Sequence, residues 1–545
     1  MAMDRVFEIG GDSFIGGAGI PLRLDGTPER LAVFRVNNSA EKVITKDWVD
    51  RILAEYGQDD VFGDMFLDGV IFVGDGAEIE VDPRAREVLK ARGNTWIKTL
   101  GTDALKLYDD THSAFLHAIR RGPNGKFREL KIAGSHSLRT LAVAVPSRVG
   151  IAPTPDLPLN GFRIAVKDIF EIENVRISVC NRAYYELYDP PQKTAACVQL
   201  LIAAGATIVG TTKLASFAAT EEPVECIDYD APWNPRADGY QSPAGSSSGS
   251  GAAMAAYEWL DITIGSDSNF DVPTFFGREI GKCRYFADSW YGKSLKPPQK
   301  TGVPAIIYPT DYMSVISNKT QLDVIDKFVE DLESSLGVPA EKVSFNDLWE
   351  STTPGAANGL SLQEFMKDAS RNSFFYDDYH SFDKFRADYF EKFGKRPYIS
   401  PPVRWQWDLS SKITAEERDE AVERLDVYRQ WFTEHVLQEG KRDTIVLIPI
   451  ENILPRYRDD PPLKHFNPVG VPMLFVSPIL GAPELTVPIG HTPFLSKVTG
   501  NEEQLPIAIS LFGSPGRDLE LFDIATKCLQ RSKRPIAVKP GNDIF

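Results

Sequence analysis

The architecture of this chain is set by the segment Tyr240-Gln-Ser-Pro-Ala-Gly-Ser-Ser-Ser-Gly-Ser-Gly-Ala-Ala-Met-Ala-Ala-Tyr-Glu-Trp-Leu-Asp-Ile-Thr-Ile-Gly-Ser-Asp267. A small-residue loop at 245–251 leads into a helix-forming run at 252–260 and a β-type segment at 262–264. The hydroxyls of residues 246–248 lie beside the N–H groups that a helix start leaves unpaired, which suits an anion, an oxyanion or a serine-based reaction. A Ser/Gly linker is the alternative. The apolar segments that follow directly favour the functional interpretation.

The composition is that of a globular protein. The chain has 545 residues, of which 43% are hydrophobic and 25% charged, enough for a large core and two domains. No apolar run is long enough to cross a bilayer, and the N-terminus lacks the basic-then-apolar layout of a signal peptide. We therefore expect a cytoplasmic protein without a membrane partner.

Charge and metal-binding residues exclude two further classes. The net charge is −16, whereas binding to nucleic acid needs a basic face. The five cysteines have no paired spacing, so they predict neither a disulfide framework nor a zinc site. The seven histidines do not cluster as metal ligands do. We expect neither nucleic acid nor a metal as a partner.

Residues 1–150 contain no recognisable set of catalytic or ligand-binding residues. A proline-rich segment at 151–159 indicates a domain boundary after them. Asp82 is a candidate helix cap in this region. The elements predicted there are strands at 31–36 and 70–73 and helices at 45–56 and 83–91.

The next segment indicates an α/β layer. Apolar and polar residues alternate over 162–170, which is a strand pattern with Lys167 towards its end. A helix at 194–204, closed by Gly205, precedes a strand at 206–210. The order strand, helix, strand is typical of α/β proteins.

The C-terminal half continues this pattern. A strand is predicted at 304–308, and an apolar helical stripe ends at Gly337. A capping box at Thr414–Glu417 opens a helix that we expect to stop at Gly440. The apolar run at 444–448 predicts a buried strand.

A lysine at a strand end and a serine-rich loop suggest one mechanism. An amine kept neutral in a desolvated pocket can take a serine proton, while backbone N–H groups hold an oxyanion. The alternative is structural: Lys167 pairs with Asp168, and the serines are caps.

At this point the sequence resembles the amidase signature family of serine hydrolases over about residues 155–535. Several motifs carry the resemblance in the family's order. They are Val166-Lys-Asp168, Ala204-Gly-Ala-Thr-Ile-Val-Gly-Thr-Thr-Lys213, Pro243-Ala-Gly-Ser-Ser-Ser-Gly-Ser-Gly-Ala252, Gly481-Ala-Pro-Glu-Leu-Thr-Val-Pro-Ile-Gly490 and Leu505-Pro-Ile-Ala-Ile-Ser-Leu-Phe-Gly-Ser-Pro-Gly516.

The resemblance implies a Ser–cisSer–Lys triad that acts on carboxamide C–N bonds through an acyl-serine, with no cofactor and a small-molecule amide as the partner. Lys167 matches the base, and Ser246 matches the bridging serine that follows a cis peptide bond. Ser247, Asp267 and Ser268 would lie on the oxyanion side or behind the triad. The implied fold is α/β, with a mixed central sheet that has helices on both faces.

The chain departs from the family after Ser268. Where the family continues to its nucleophilic serine, the sequence passes directly to a segment, from Phe270 onward, that resembles a later part of the family. Asp271 falls near the nucleophile's position by coincidence. Ser266 and Ser268 remain as nearby hydroxyls, but a displacement of about 1 Å can cost about a hundredfold in rate, so we expect neither to replace the nucleophile.

Two hypotheses follow from this departure. The first is an amidase-type hydrolase that is impaired by the loss of its nucleophile segment. The second is a non-catalytic small-molecule-binding protein that keeps the fold. We predict a smaller α+β domain at 1–150, weakly similar to the scytalone-dehydratase-like extension of some fungal members, and an amidase-signature domain at 151–545. The oligomeric state stays open.

Overall fold

The computed structural model describes residues 5–9, 12–16, 32–35, 43–62, 69–73, 80–90, 94–97, 104–122, 125–134, 140–148, 151–243, 245–267, 272–462 and 465–545. The chain divides into two compact units. The first unit comprises Met1–Thr111, His117–Arg163 and Ile202–Gly210, and the second comprises His112–Leu116, Ile164–Leu201 and Thr211–Phe545. The boundary predicted after residue 150 stays a prediction.

The elements of the N-terminal part are short. They are β1 (Arg5–Ile9), β2 (Asp12–Gly16), β3 (Ala32–Arg35), β4 (Val43–Ile44), α1 (Lys46–Tyr56), β5 (Gly69–Val73), β6 (Glu80–Val81), α2 (Pro83–Lys90), β7 (Asn94–Ile97), β8 (Ala104–Asp109), β9 (Phe115–Arg121), β10 (Phe127–Leu130) and β11 (Ala142–Pro146). An antiparallel sheet has the order β1-β2-β8-β11, and a parallel sheet has the order β3-β5-β7.

The predictions for this part are confirmed where the structure describes it. Helix α1 begins after Thr45, whose Oγ1 accepts a hydrogen bond from the N–H of Trp48 at 3.2 Å. Helix α2 follows Asp82, whose Oδ1 accepts from the N–H of Arg84 at 2.6 Å. Strands β3 and β5 match the two predicted strands. The outermost residues predicted for β3 and α2, at 31, 36 and 91, lie outside the described residues.

The remaining elements alternate strands with helices. They are β12 (Arg163–Lys167), α3 (Arg182–Leu187), α4 (Ala196–Ala203), β13 (Thr207–Thr212), α5 (Ser248–Ala256), β14 (Ile262–Asp267), β15 (Val272–Phe276), α6 (Ile280–Tyr291), β16 (Pro304–Pro309), α7 (Thr310–Met313), α8 (Lys319–Leu336), β17 (Ala340–Val343), α9 (Phe345–Thr352), α10 (Leu362–Met366), α11 (Ala369–Ser381), α12 (Asp383–Phe393), α13 (Pro401–Ser410), α14 (Ala415–Trp431), β18 (Asp443–Pro449), α15 (Val476–Leu480), β19 (Glu484–Leu495), β20 (Glu502–Phe512) and α16 (Asp518–Arg531).

A mixed five-stranded sheet organises the C-terminal half. Its order is β17-β16-β18-β20-β19, with the first three strands parallel and the last two antiparallel to their neighbours. Because strand residues alternate between faces, Ile445 and Leu447 pack with α8 and α16, whereas Val446 and Ile448 pack with α9 and α14. The mixed α/β fold with helices on both faces of a sheet is thereby confirmed.

A second set of strands carries the lysine motif and the end of the serine motif. Strand β14 runs parallel to β12, with Val166 opposite Ile264, and antiparallel to β15. All five residues of β12 are buried. The two parallel strands therefore end side by side, with Lys167 on one and residues 265–267 on the other.

Helices α5 and α14 differ most from the predictions. Helix α5 begins at Ser248 and ends at Ala256, whereas the sequence predicted residues 252–260. It begins early because the small residues at 248–251, whose composition resembles a loop, allow the first turn of the helix to pack closely against the backbone of Lys213. The long helix α14 passes into a π-helical turn at Phe432–Leu437 and ends at Gln438, which has a φ of +48°, two residues before the predicted stop at Gly440.

Other predictions for this half are confirmed. The capping box at Thr414 is present, with its Oγ1 accepting from the N–H of Glu417. Helix α8 ends at Gly337, which adopts the left-handed conformation with a φ of +77°. Strands β16 and β18 lie where the apolar runs predict them. Among the described residues, no helix is both long and apolar enough to cross a membrane.

Candidate active site

Lys167 is the buried centre of the site. It is the last residue of β12, and its side chain has no exposure to solvent. Its Nζ donates to three serine hydroxyls: Ser246 Oγ at 2.9 Å, Ser247 Oγ at 3.1 Å and Ser266 Oγ at 2.7 Å. The lysine and the serine loop, which lie about eighty positions apart in the chain, therefore share one site.

The start of α5 brings the serine loop to the strands. A Cβ on Gly249 would lie 2.5 Å from both the backbone N and O of Lys213, and 2.6 Å from the backbone O of Ala114. A Cβ on Gly265 would lie 2.9 Å from Ser247 Oγ. Only glycine allows these approaches, so both positions set how near the serines come to Lys167.

Ser247 ties the loop to strand β14. Its Oγ accepts a hydrogen bond from the N–H of Ser266 at 3.2 Å and lies within donating distance of the Ser266 carbonyl, also at 3.2 Å. With Lys167 as a further donor, this hydroxyl is fully engaged in holding the loop.

Asp168 lies directly behind the lysine and is fully buried. Its Oδ2 accepts from the N–H of Ser178 at 2.8 Å and from Ser178 Oγ at 2.7 Å. Burial raises the pKa of Asp168 to about 7, and the donors on Ser178 offset only part of this effect. This carboxyl bonds to Ser178, whereas the Lys167 amine bonds to the three serine hydroxyls described above, so these contacts of the two groups do not overlap.

The loop that receives Asp168 has an unusual backbone. Val179 and Cys180 have φ values of +46° and +51°, a region that a β-branched residue such as valine rarely adopts. The N–H of Cys180 donates to Ser178 Oγ at 2.9 Å, and the N–H of Phe217 donates to the Val179 carbonyl at 3.0 Å. Such strain concentrates at functional sites. No glycine at 179 or 180 marks this turn in the sequence.

The predicted site residues are placed as follows. Lys167, Ser246 and Ser247 come together, and Ser266 joins them with the shortest contact to the amine. Asp267 follows Ser266 on β14 and so points to the opposite face of the strand. Ser268 lies outside the described residues, as does the point at which the chain departs from the family pattern.

Glu484 is a charged neighbour of Asp267 that sequence reasoning missed. It is the first residue of β19, far from the other motif in the chain. Burial raises the pKa of Glu484 to about 7, and the negative charge of Asp267 adds to the effect, whereas the Ser510 hydroxyl opposes it. Only the tertiary fold brings these two carboxyls near each other.

The helix start is less available to a ligand than the sequence suggests. The N–H of Gly249 donates to the Lys213 carbonyl at 3.1 Å, and the N–H of Gly251 donates to the Ser247 carbonyl at 3.0 Å. These groups are satisfied within the protein. The described residues also contain no cis peptide bond, so the cis bond that the resemblance implies before Ser246 is not found in this structure.

The site thus combines a fully buried lysine with serine hydroxyls of a Gly/Ser loop, within an α/β fold. A family model described as Amidase matches residues 137–269. Over these residues the chain is similar to the amidases.

Curated proteins of similar sequence match over short lengths. A glutamyl-tRNA(Gln) amidotransferase subunit of Natronomonas pharaonis is 39% identical over 145 residues, which cover 26% of this chain and 33% of that protein. Amidase 1 of Oryza sativa subsp. japonica is 38% identical over 120 residues, which cover 22% of this chain and 27% of that protein. The matches thus span about a third or less of these relatives.

Solved structures extend the likeness of the fold. A structure of 6-aminohexanoate cyclic dimer hydrolase complexed with substrate has a TM-score of 0.52 at 16% identity, and covers 70% of this chain and 86% of that one. At this identity the likeness concerns the fold alone.

Proposed function

We propose that this protein is an amidase-type hydrolase of carboxamide C–N bonds, acting on a small-molecule amide through an acyl-serine. One observation carries the proposal: the fully buried amine of Lys167 lies 2.9 Å from Ser246 Oγ. Removal from water disfavours the charged form of an amine, and a neutral amine within hydrogen-bond distance can act as a base towards a serine hydroxyl.

The proton path follows from these contacts. In its neutral form Lys167 accepts the Ser246 proton, and Ser246 in turn takes the proton of the attacking hydroxyl. Reversal of the path delivers the proton to the leaving amine when the C–N bond breaks. Ser246, Ser247 and Ser266 are partly exposed, so a substrate can reach them, while the lysine stays shielded from water.

We further propose that turnover by this chain is slow. The family places its nucleophile in a segment that this sequence lacks between Ser268 and Phe270. A positioned acid or base contributes about 10²–10⁴-fold to a rate, but only towards a nucleophile held in near-attack geometry. Lys167 and Ser246 therefore retain the base chemistry without the family's usual attacking group.

Hydrolysis of acetamide and benzamide, followed by ammonia release, tests the proposal. We expect slow turnover that falls at least about a hundredfold in Lys167→Met. Lys213→Met is the matched control, because Lys213 is also buried and donates to Ser113 Oγ at 2.7 Å. Equal losses in both variants, at equal folded fraction, would refute the role of Lys167. Turnover as fast as that of an intact amidase would refute the impairment.

A second function, non-catalytic binding of a small molecule, is favoured by one observation. A lysine ammonium has three N–H donors, and three serine hydroxyls accept from Lys167 at 2.7–3.1 Å. These three hydroxyl acceptors also suit a protonated lysine that takes no part in proton transfer. Saturable calorimetric binding of benzamide without ammonia release would favour this function over hydrolysis.

A further inference from the structure

We propose that Ser266 is the hydroxyl at which this site forms its covalent bond, an inference that rests on the proposed acyl-transfer function. Ser266 Oγ lies 2.7 Å from Lys167 Nζ, which is the shortest of the three serine contacts to this amine. The sequence alone predicts that Ser266 does not replace the nucleophile, because the reaction demands exact placement. The distance from Ser266 to the base is visible only in the structure.

The other two hydroxyls have different tasks. Ser247 Oγ bonds to both the N–H and the carbonyl of Ser266 and so fastens α5 to β14. Ser246 lies in the turn before α5, where its carbonyl accepts from the N–H of Ala215 at 3.0 Å. Its longer contact with Lys167, at 2.9 Å, suits a group that passes a proton.

Ser266 is held more rigidly than a loop residue. It lies on β14, whose Ile264 pairs with Val166, the neighbour of Lys167 on β12. Base and hydroxyl thus project from adjacent parallel strands whose spacing is fixed by backbone hydrogen bonds. Ser266 is only partly buried, which leaves room for a carbonyl carbon to approach.

The covalent step balances within these groups. The Ser266 Oγ–H proton moves to neutral Lys167 Nζ as Oγ forms a bond to the amide carbon. The C–N bond then breaks, and Ser246 passes the lysine proton to the leaving amine, so that Ser246 serves the departure of the amine and Lys167 alone serves the attack by Ser266. Water hydrolyses the acyl ester, giving a carboxylic acid and returning the proton to Ser266.

An alkyl fluorophosphonate tests the inference on the full chain. Oγ displaces fluoride from phosphorus, the hydroxyl proton leaves through Lys167, and the adduct is located by peptide mass spectrometry. We expect the adduct on Ser266, its loss in Ser266→Ala and its return in Ser266→Thr. Ser289→Ala is the control, because Ser289 lies on α6, where its Oγ donates to the Tyr285 carbonyl at 2.8 Å.

The outcomes separate this inference from the proposed function. An adduct on Ser246, Ser247 or Ser268, formed as fast in Ser266→Ala as in the unchanged protein, would overturn the inference and leave acyl chemistry standing. Ammonia release that depends on Lys167 and survives in Ser266→Ala would do the same. A folded protein that forms no adduct and hydrolyses no amide would overturn both.

Discussion

Gly249→Ala, compared with Gly251→Ala, tests how the serine loop is held. Both glycines lie in α5, two residues apart. A Cβ at 249 would meet the backbone of Lys213 at 2.5 Å, whereas a Cβ at 251 would have no atom within 4 Å. The two substitutions add the same methyl group to the same helix, so their difference isolates the packing of its first turn.

The expected sizes follow from these distances. Relief from 2.5 Å to the 3.4 Å of an ordinary contact needs a shift of about 0.9 Å. Overpacking of this kind costs about 1–3 kcal/mol. Gly251→Ala is expected to gain about 0.5–1 kcal/mol, because alanine is the better helix former. The free energies of unfolding should therefore differ by about 1.5–4 kcal/mol.

Urea unfolding followed by circular dichroism measures this difference. A displacement of about 1 Å at the start of α5 would also move the serines from Lys167, so fluorophosphonate labelling should slow by about a hundredfold in Gly249→Ala alone. Equal stabilities for the two variants would refute the close packing of α5. Equal labelling rates at unequal stability would show that this packing does not position the serines.

Three further predictions concern charged groups. Burial raises the pKa of Asp168 from 3.8 to about 7. The contribution of Asp168 to the free energy of unfolding therefore falls as the pH rises from about 4 to about 7. Asp168→Asn should flatten the pH dependence of urea unfolding over this range. Burial would raise the pKa of Asp443, but backbone donors and Arg517 hold it at about 2. Asp443→Asn should therefore lower the free energy of unfolding at pH 7, and the difference from the unchanged protein should vanish as the pH falls towards 2. Arg278→Lys should cost about 1–3 kcal/mol in thermal or urea unfolding, against about 0–1 for the exposed control Arg284→Lys.

These predictions would each fail on a clear result. An Asp168→Asn profile parallel to that of the unchanged protein would contradict the raised pKa of this carboxyl. A destabilisation by Asp443→Asn that stays constant down to pH 2 would contradict the lowered pKa of Asp443. Equal effects of the two arginine substitutions would show that the guanidinium of Arg278, which donates to the carbonyls of Met254, Tyr257, Glu258 and Leu260, does not secure the end of α5.

Much of the fold could be predicted from local signals. The stripe of α8 ends at a glycine in the left-handed conformation, and the capping box of α14 is formed as its residues indicate. The apolar run of β18 forms a buried strand. In each case the decisive interactions lie within one element or at its end, so a short window of sequence contains them.

The ends of α5 depend on distant residues and could not be predicted in the same way. Its early start follows from a close approach to the backbone of Lys213, and its end coincides with carbonyls that Arg278 binds. Composition marks residues 245–251 as a loop, but tertiary packing makes residues 248–251 the first turn of the helix.

The candidate site shows the same division. Lys167, Ser246 and Ser247 follow from motifs that the sequence carries, and the structure brings them together. The contact of Ser266 with the lysine depends on the register of β14 beside β12, which no local pattern records. The strained turn at Val179 likewise lacks a glycine that would have marked it.

The proposed function requires Lys167 and Ser246 to work as one proton-transfer unit. A double-mutant cycle on the rate of ammonia release from benzamide, with Lys167→Met, Ser246→Ala and the double variant, tests this requirement most directly. We predict that the double variant reacts about as slowly as the slower single variant, because either change breaks the same path. If the rate losses of the two single variants multiply in the double variant, Lys167 and Ser246 act independently, which would contradict the proposed function.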